Sequence, residues 1–529
     1  MRFDRFRNRY LTIDPRGLAA GRVALATVLL FDLVRRFPLA TLWYSNQGLL
    51  PNHTVLWRPP FPYVFSLFFT ASRPYEAIVG FGLCGAAYIM LLVGNRTWLA
   101  QMASLLAVLS LHGRVLFIQN SGDVVLVELC VWTLFLPLGR RYSVDSLRAR
   151  LRVKPQLNVS DLTFESAALL DRTPVVSWAV LGLVAQLAVI YFFNAVQKNG
   201  PTWRDGSAVH YILYYANVVT PLGVLARSWI TPRASQVLTW STRFTEAALP
   251  ILLLTPVAQR FARRLAIALV IALHGALGLF LNLGIFVPAM LVFVPFLVTA
   301  PDWDRLERWW VPKAPTRHTH KLVAQVLTAL ERRGVLTLTT TGPESSSGDT
   351  APLAHGGLFR EGAVAVLIVF AIVGVIVDNT AVTRVPVLLE PRAMYAVRVY
   401  LQMFQSWSLF APNVSTSEGT IAVDAVTAEG RHVDPLNEEL SPGAPWVGDA
   451  IPPRLGNNGF ASAYLLRLPN RPDYFTALGE WLLRYPERTG RESDRIVSFR
   501  VLTLEQDDPP LGGHSSSSAR SHVLFRYPN

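Results

Sequence analysis

Apolar runs long enough to cross a membrane recur through the first 300 residues, and no other feature restricts this chain's fold as strongly. A hydrocarbon core of roughly 30 Å takes about 20 apolar residues of helix to span. Backbone amides find no water there, so each run must close its own hydrogen bonds as a helix. The runs are Leu18–Phe37, Tyr75–Gly94, Thr97–His112, Ser121–Leu138, Val175–Val196, Thr239–Val257, Leu265–Leu283, Ile285–Val298 and Gly362–Val377. Composition agrees: 51% of the 529 residues are hydrophobic and 16% charged, where soluble domains lie nearer a quarter charged. The expected fold is an all-α polytopic membrane bundle of about 8–9 transmembrane helices, with a small α+β extracytoplasmic module at the C-terminus.

The net charge of +13 is explained by where the cations fall. Arg2, Arg5, Arg7, Arg9 and Arg16 precede the first run, GRRYSVDSLRARLRVKPQ follows the fourth run, and Arg260, Arg263 and Arg264 follow the sixth. Basic residues mark cytoplasmic links. The N-terminus is therefore expected inside and the C-terminal module outside, and the charge needs no nucleic-acid partner. By the same alternation the fifth run ends at the outer face. Arg22 and Asp32 fall within the first run, where they should face the bundle or each other.

Four segments follow: a transmembrane domain over 1–310, a cytoplasmic basic helix (His320–Arg333) with a Ser/Gly/Thr-rich linker (Thr339–Thr350) over 311–360, a last span over 361–378, and the outer module over 379–529. Within the module, TIAVDAVTAEGRHVDPL alternates about a Glu-Gly turn and predicts a hairpin. DRIVSFRVLTL predicts a strand. Ser462–Arg484 predicts helix broken at Pro469 and Pro472, and GGHSSSSARS a mobile loop. Cys84 and Cys130 lie in apolar runs with neither CxxC nor metal spacing, which argues against thiol redox chemistry and a metal site. No nucleotide-binding motif stands out.

The most suggestive stretch is Tyr191–Asp205, YFFNAVQKNGPTWRD. At about 100° per residue, Gln186, Asn194, Gln197 and Lys198 share one face of the fifth helix. Such a stripe must meet a polar cavity or another helix. In the seventh run His274, Gly278 and Asn282 follow at i, i+4 and i+8, either a ligand notch or a small-residue helix crossing. Lys198 has two readings. It can be an anchor reaching for the headgroups, or a desolvated amine able to take a proton from a phenol or quinol.

FFNAVQKNGPTWRDGSAVHYIL resembles a segment of the vitamin K-dependent γ-glutamyl carboxylases, in which an apolar helix ends in a catalytic lysine followed by a tryptophan. Trp43-Tyr44-Ser45 with Gly48-Leu49-Leu50-Pro51, SLHGRVLFIQNSGD and HGALGLFLNLGIF are similar to bacterial membrane proteins grouped with that enzyme as HTTM-domain proteins. QSWSLFAPN, Gln405–Asn413, is also similar to a segment of such proteins. The resemblance spans roughly residues 15–310 and implies a bacterial inner-membrane location. It implies reduced vitamin K or menaquinol as cofactor and Lys198 as the base. It matches His274 to a polar histidine of the family, with Gln197, Asn194, Asn120, Asn282 and Trp203 around substrate or quinone. A protein or peptide substrate would approach from the outer face, and membrane lipid and quinone would be partners. Oxygenated quinol then removes a γ-proton from glutamate, and carbon dioxide adds. Ser121 stands where the family has a histidine, so the carboxylation half of the reaction stays open. Two classes remain: a quinol-dependent lyase or oxidoreductase, and a non-catalytic HTTM protein that binds lipid or quinone and presents an outer interaction module.

Overall fold

The computed structural model describes residues 2–60, 62–152, 173–310, 355–384, 390–440, 451, 459–513 and 517–528. The basic helix expected over His320–Arg333 and the linker Thr339–Thr350 lie outside them, as do residues 514–516 of the GGHSSSSARS loop.

The protein is mostly helical, with a small sheet near the C-terminus. Every expected apolar run contains helix. The main helices are α1 (Pro15–Arg36), α2 (Pro74–Val93), α3 (Thr97–Arg114), α4 (Ser121–Leu134), α5 (Trp178–Gln197), α6 (Pro232–Leu254), α7 (Gln259–Phe280) and α8 (His355–Asp378). Among the described residues five helices are long and apolar enough to cross a membrane: Pro15–Tyr44, Pro74–Val93, Trp178–Gln197, Gln259–Phe280 and Phe359–Asp378. Phe286–Leu297 and Ala300–Trp309, which meet at a 100° bend, make a sixth if counted together. The third, fourth and sixth expected runs fall short of that test. In the fourth, α4 has only 14 residues.

Helix ends follow local chemistry. Asp14 caps α1 through the Arg16 amide, with Pro15 at the first turn, and Asn120 caps α4 through the amides of Gly122 and Asp123; both spare orphan N–H groups. Gly122 is required by close approach, because a Cβ there would collide with the Phe286 backbone. A two-residue ladder, β1 (Thr12–Ile13) on β2 (Val175–Val176), ties the N-terminal segment to the start of α5.

Arg22 and Asp32 do not face each other. Ten residues apart on one helix, they are separated by about 15 Å. Arg22 donates to the Tyr142 carbonyl (2.5 Å), whereas Asp32 pairs with Arg35 and Arg36.

The C-terminal sheet is antiparallel in the order β4-β3-β5-β6, from β3 (Ser417–Thr427), β4 (His432–Val433), β5 (Ile496–Asp507) and β6 (Arg520–Tyr527). The hairpin and the strand over Asp494–Leu504 lie where the sequence places them, and Gly430 supplies the left-handed turn residue (φ +80°). The helical stretch breaks at both prolines, giving α9 (Gly459–Arg467) and α10 (Phe475–Leu483) with short 3-10 turns between. Strand β6 was not expected. Its alternation is weak, because most of its side chains are exposed on an edge strand. Phe525 still anchors it, stacked on Phe475 at 4.7 Å.

Helices and sheet share one continuous core. Phe117, between α3 and α4, stacks on Tyr474 at 4.3 Å, and Trp43 meets Tyr464 at 5.4 Å. Phe460 lies against the guanidinium groups of Arg35 and Arg36, at 4.7 and 4.5 Å from its ring centre.

Candidate functional site

Lys198 sits one residue beyond the end of α5, and its side chain is 2% exposed. Its Nζ lies 2.5 and 2.6 Å from the two carboxylate oxygens of Glu246 on α6 and 4.9 Å from the Trp203 ring centre. Gly200 and Pro201 turn the chain so that Trp203 comes back over the ammonium. A group held this way is no headgroup anchor. It is half of a buried ion pair, and such a pair persists only when its partners desolvate together. Glu246 is the partner that sequence reasoning did not assign. The one carboxylate of the sixth run, three residues after Arg243, was the available signal.

The polar stripe on α5 is real and has two partners: Lys198 faces Glu246 on helix α6, and the other three side chains meet the irregular strap Gln402–Asn413. Gln186 donates to Gln405 (2.9 Å), Asn194 accepts from the Leu409 amide (2.9 Å), and Gln197 donates to the Trp407 carbonyl and to Asn379 (both 3.0 Å). Trp203 donates to the Phe410 carbonyl (2.8 Å). Gln405 also donates to the buried Glu128 of α4 (2.7 Å) and accepts from Trp407. The strap, counted with the outer module on sequence grounds, is thus laced into the helices by side-chain amides. This arrangement satisfies a non-helical backbone inside a packed interior.

His274 is buried and shares a 2.8 Å hydrogen bond with Tyr191, on the Lys198 helix; its Nδ1 has no partner among the described residues. Glu246 lies within electrostatic reach of that Tyr191 hydroxyl. The structure therefore gathers Lys198, Glu246, Trp203, Tyr191 and His274 where α5, α6 and α7 meet.

Asn282 does not continue the His274 face. Helix α7 ends at Phe280, Leu281 is extended and bridges to Val219, and Asn282 turns out of the helix to donate its amide to Val218 (2.5 Å). It lines an apolar slot of about 570 Å³ with Gly278, Thr27, Phe31 and Val287. Asn120 lies elsewhere again. Its side-chain oxygen is used as the α4 cap, and with Ser121 it borders a cleft of about 620 Å³. Lys198 lines neither space.

A second buried charge cluster was only half legible. Asp32, His112 and Asp123 bring three ligand-type atoms within 4.8 Å of one another. The Arg36 guanidinium already occupies the centre, donating to both carboxylates at 2.6 Å and to Tyr44 at 3.0 Å. Two aspartates face two arginines, so the charge closes on the guanidinium groups.

In the C-terminal module, burial, together with the neighbouring Glu418, pushes the Asp508 carboxyl up to about 7 against the pull of Arg227. Its Oδ2 has no hydrogen-bond partner among the described residues. The folded protein holds this proton between about pH 4 and 7, where the unfolded chain has released it. Stability therefore falls as pH rises through that window and levels off above it. Asp508→Asn is expected to flatten this slope, and to raise the midpoint of thermal unfolding at pH 8 relative to wild type more than at pH 5. A parallel shift at both pH values would mean that Asp508 does not titrate there.

Comparison with known proteins adds no relative: no family model, no curated protein and no solved structure matches the chain.

Proposed function

We propose that the chain is an integral membrane protein of the HTTM type, related to the vitamin K-dependent carboxylases, in which Lys198 and Glu246 together accept a proton from a quinol at the outer face. The N-terminus would lie in the cytoplasm of a bacterial cell, with up to nine helical runs in the bilayer and the sheet module outside. One observation carries the reading: a lysine and a carboxylate, both buried, meet at 2.5 Å where three helices converge beside Tyr191 and His274.

The pair is neutral overall whether written as ammonium and carboxylate or as amine and acid. It takes up one further proton by becoming ammonium and carboxylic acid. The positive charge left at Lys198 then favours an anion beside it, and the low-polarity setting strengthens that attraction. A bound quinol would supply the acidic hydroxyl and, after oxygenation, the strong base of the carboxylase reaction. The slot beside Gly278 and Asn282 is apolar and within the usual range for ring-sized ligands, about 300–1,000 Å³, and Tyr191–His274 would position the hydroxyl.

A second reading rests on a specific observation: Lys198 lines neither cavity. The pair would then be a packing clamp and the module an interaction domain. Purified protein given menaquinol or vitamin K hydroquinone and oxygen separates the two. Epoxide formation is expected in wild type and about 100-fold or more lower in Lys198→Ala and Glu246→Gln, the usual contribution of a general base. Equal turnover in wild type and Lys198→Ala would remove Lys198 as base. Absence of epoxide with either quinol would favour the clamp.

A further inference from the structure

The cleft of about 620 Å³ is formed where four segments converge: the α3–α4 link with the start of α4, the strap, the end of α9 with the turn after it, and Pro60. Its walls divide by chemistry. Leu116, Phe117, Val124, Phe404, Trp407 and Leu466 are apolar. Arg467 and Arg471 bring two positive charges, and no Asp or Glu lines the space.

Neither cation is compensated by an ion pair among the described residues. Arg467 donates to the carbonyls of Phe117 (2.7 Å) and Gln119 (2.6 Å), neutral acceptors that hold its charge at the wall without cancelling it. Asp123 is the carboxylate whose field reaches Arg467, and it is already bound to Arg36. Arg471 lies over the Tyr474 ring at 5.2 Å and otherwise reaches only the Arg58 carbonyl, at 3.4 Å. Pro60 closes one side, and Trp57, at the end of the helix Asn52–Trp57, and Tyr63 are both exposed (83% and 47%). Exposed aromatic rings at this level suit a membrane–water boundary.

We propose that this cleft, with two uncompensated guanidinium groups on one wall and an apolar surface on the other, binds the headgroup phosphate and adjoining chain of an anionic phospholipid. Arginine suits phosphate because its planar fork donates two parallel hydrogen bonds and is less strongly hydrated than an ammonium. The apolar wall takes the first acyl carbons, and the amides of Asn120 and Asn470, which line the cleft, would serve the remaining headgroup oxygens. An occupant would rest on the strap at Trp407, whose carbonyl receives Gln197. It would brace the segment next to Lys198 from the other side. The site does not depend on proton chemistry at Lys198.

The test is native mass spectrometry of the full chain in detergent, titrated with phosphatidylglycerol, with phosphatidylcholine, or with inorganic phosphate. Phosphatidylglycerol is expected to bind roughly tenfold or more tightly than phosphatidylcholine. Arg471→Gln should erase most of that preference, and Arg471→Lys should restore part of it. Arg471 is the first choice because Arg467 also fixes two backbone carbonyls. Arg467→Gln is the second, judged only on protein whose unfolding temperature is unchanged. Equal binding of the two lipids would overturn the proposal, as would undiminished phosphatidylglycerol binding in Arg471→Gln. Displacement of bound phosphatidylglycerol by millimolar phosphate or by an acidic peptide would also overturn it.

Discussion

Lys198→Met is expected to destabilise the protein by about 3–5 kcal/mol, and Glu246→Leu by a similar amount, because each leaves the other charge buried and alone. Among the described residues Lys198 has no carboxylate partner besides Glu246, and both oxygens of Glu246 meet Lys198. With Lys198 truncated, the carboxylate must either ionise without a counter-charge or bind a proton at a cost in free energy. The double variant Lys198→Met, Glu246→Leu removes both charges and keeps apolar volume. Buried pairs replaced in this way are often neutral or better, so the double variant is expected near wild type. Denaturant or thermal unfolding of all four proteins in one detergent gives the coupling free energy, expected at about 3 kcal/mol or more. Strict additivity of the single effects would show that the two groups do not share a charge. The double variant also separates the two functional readings. A packing clamp is repaired by it, whereas a proton acceptor is not: stability returns and epoxidation stays lost.

What the sequence revealed about this pair, and what it hid, follows from how each partner is encoded. Lys198 stands out because it ends an apolar run on a polar face. The stripe of Gln186, Asn194 and Gln197 is equally legible, since helical periodicity places those side chains together whatever they touch. Their partner is not periodic. Residues Gln402–Asn413 form an irregular strap more than 200 positions away, and nothing local announces that Gln405 meets Glu128 and Gln186. Glu246 is visible as a charge but not as a partner, because pairing is a property of how α5 and α6 pack. Asn282 was misplaced for a related reason. The i, i+4, i+8 rule holds only while the helix continues, and the bridge from Leu281 to Val219 ends it one step early. The hairpin and the proline-broken helix of the module were readable because turn chemistry and alternation are local. Strand β6 was not, since an exposed edge strand has little alternation to read.

Arg36 is expected to matter to stability as much as the Lys198 pair, and for a different architectural reason. Its guanidinium is the hub of a buried cluster, bound to Asp32, Asp123 and Tyr44, with Phe460 from the sheet module against its face. Arg36→Met takes from Asp123 its close guanidinium partner and leaves it His112 at 3.5 Å, the more distant Arg467 and, on its other oxygen, the Asn120 amide in the α4 cap. Asp32 retains Arg35 at 3.0 Å. The expected loss is about 3–5 kcal/mol, against about 0–1 kcal/mol for an exposed ion pair. Adding Asp123→Asn should recover a large part, because the amide still accepts from the cap while the orphan charge is gone. Arg36→Lys should recover less, because one ammonium cannot reproduce the planar fork that spans both carboxylates. The effect should also reach the module. With one of the two guanidinium groups gone from beneath Phe460, amide hydrogen exchange in Gly459–Arg467 should rise more than in Phe475–Leu483, which packs on the sheet. An unfolding free energy for Arg36→Met within roughly 1 kcal/mol of wild type would show that the cluster is solvated like a surface bridge. Its position among α1, α3 and α4 would then be incidental to how bundle and module are joined.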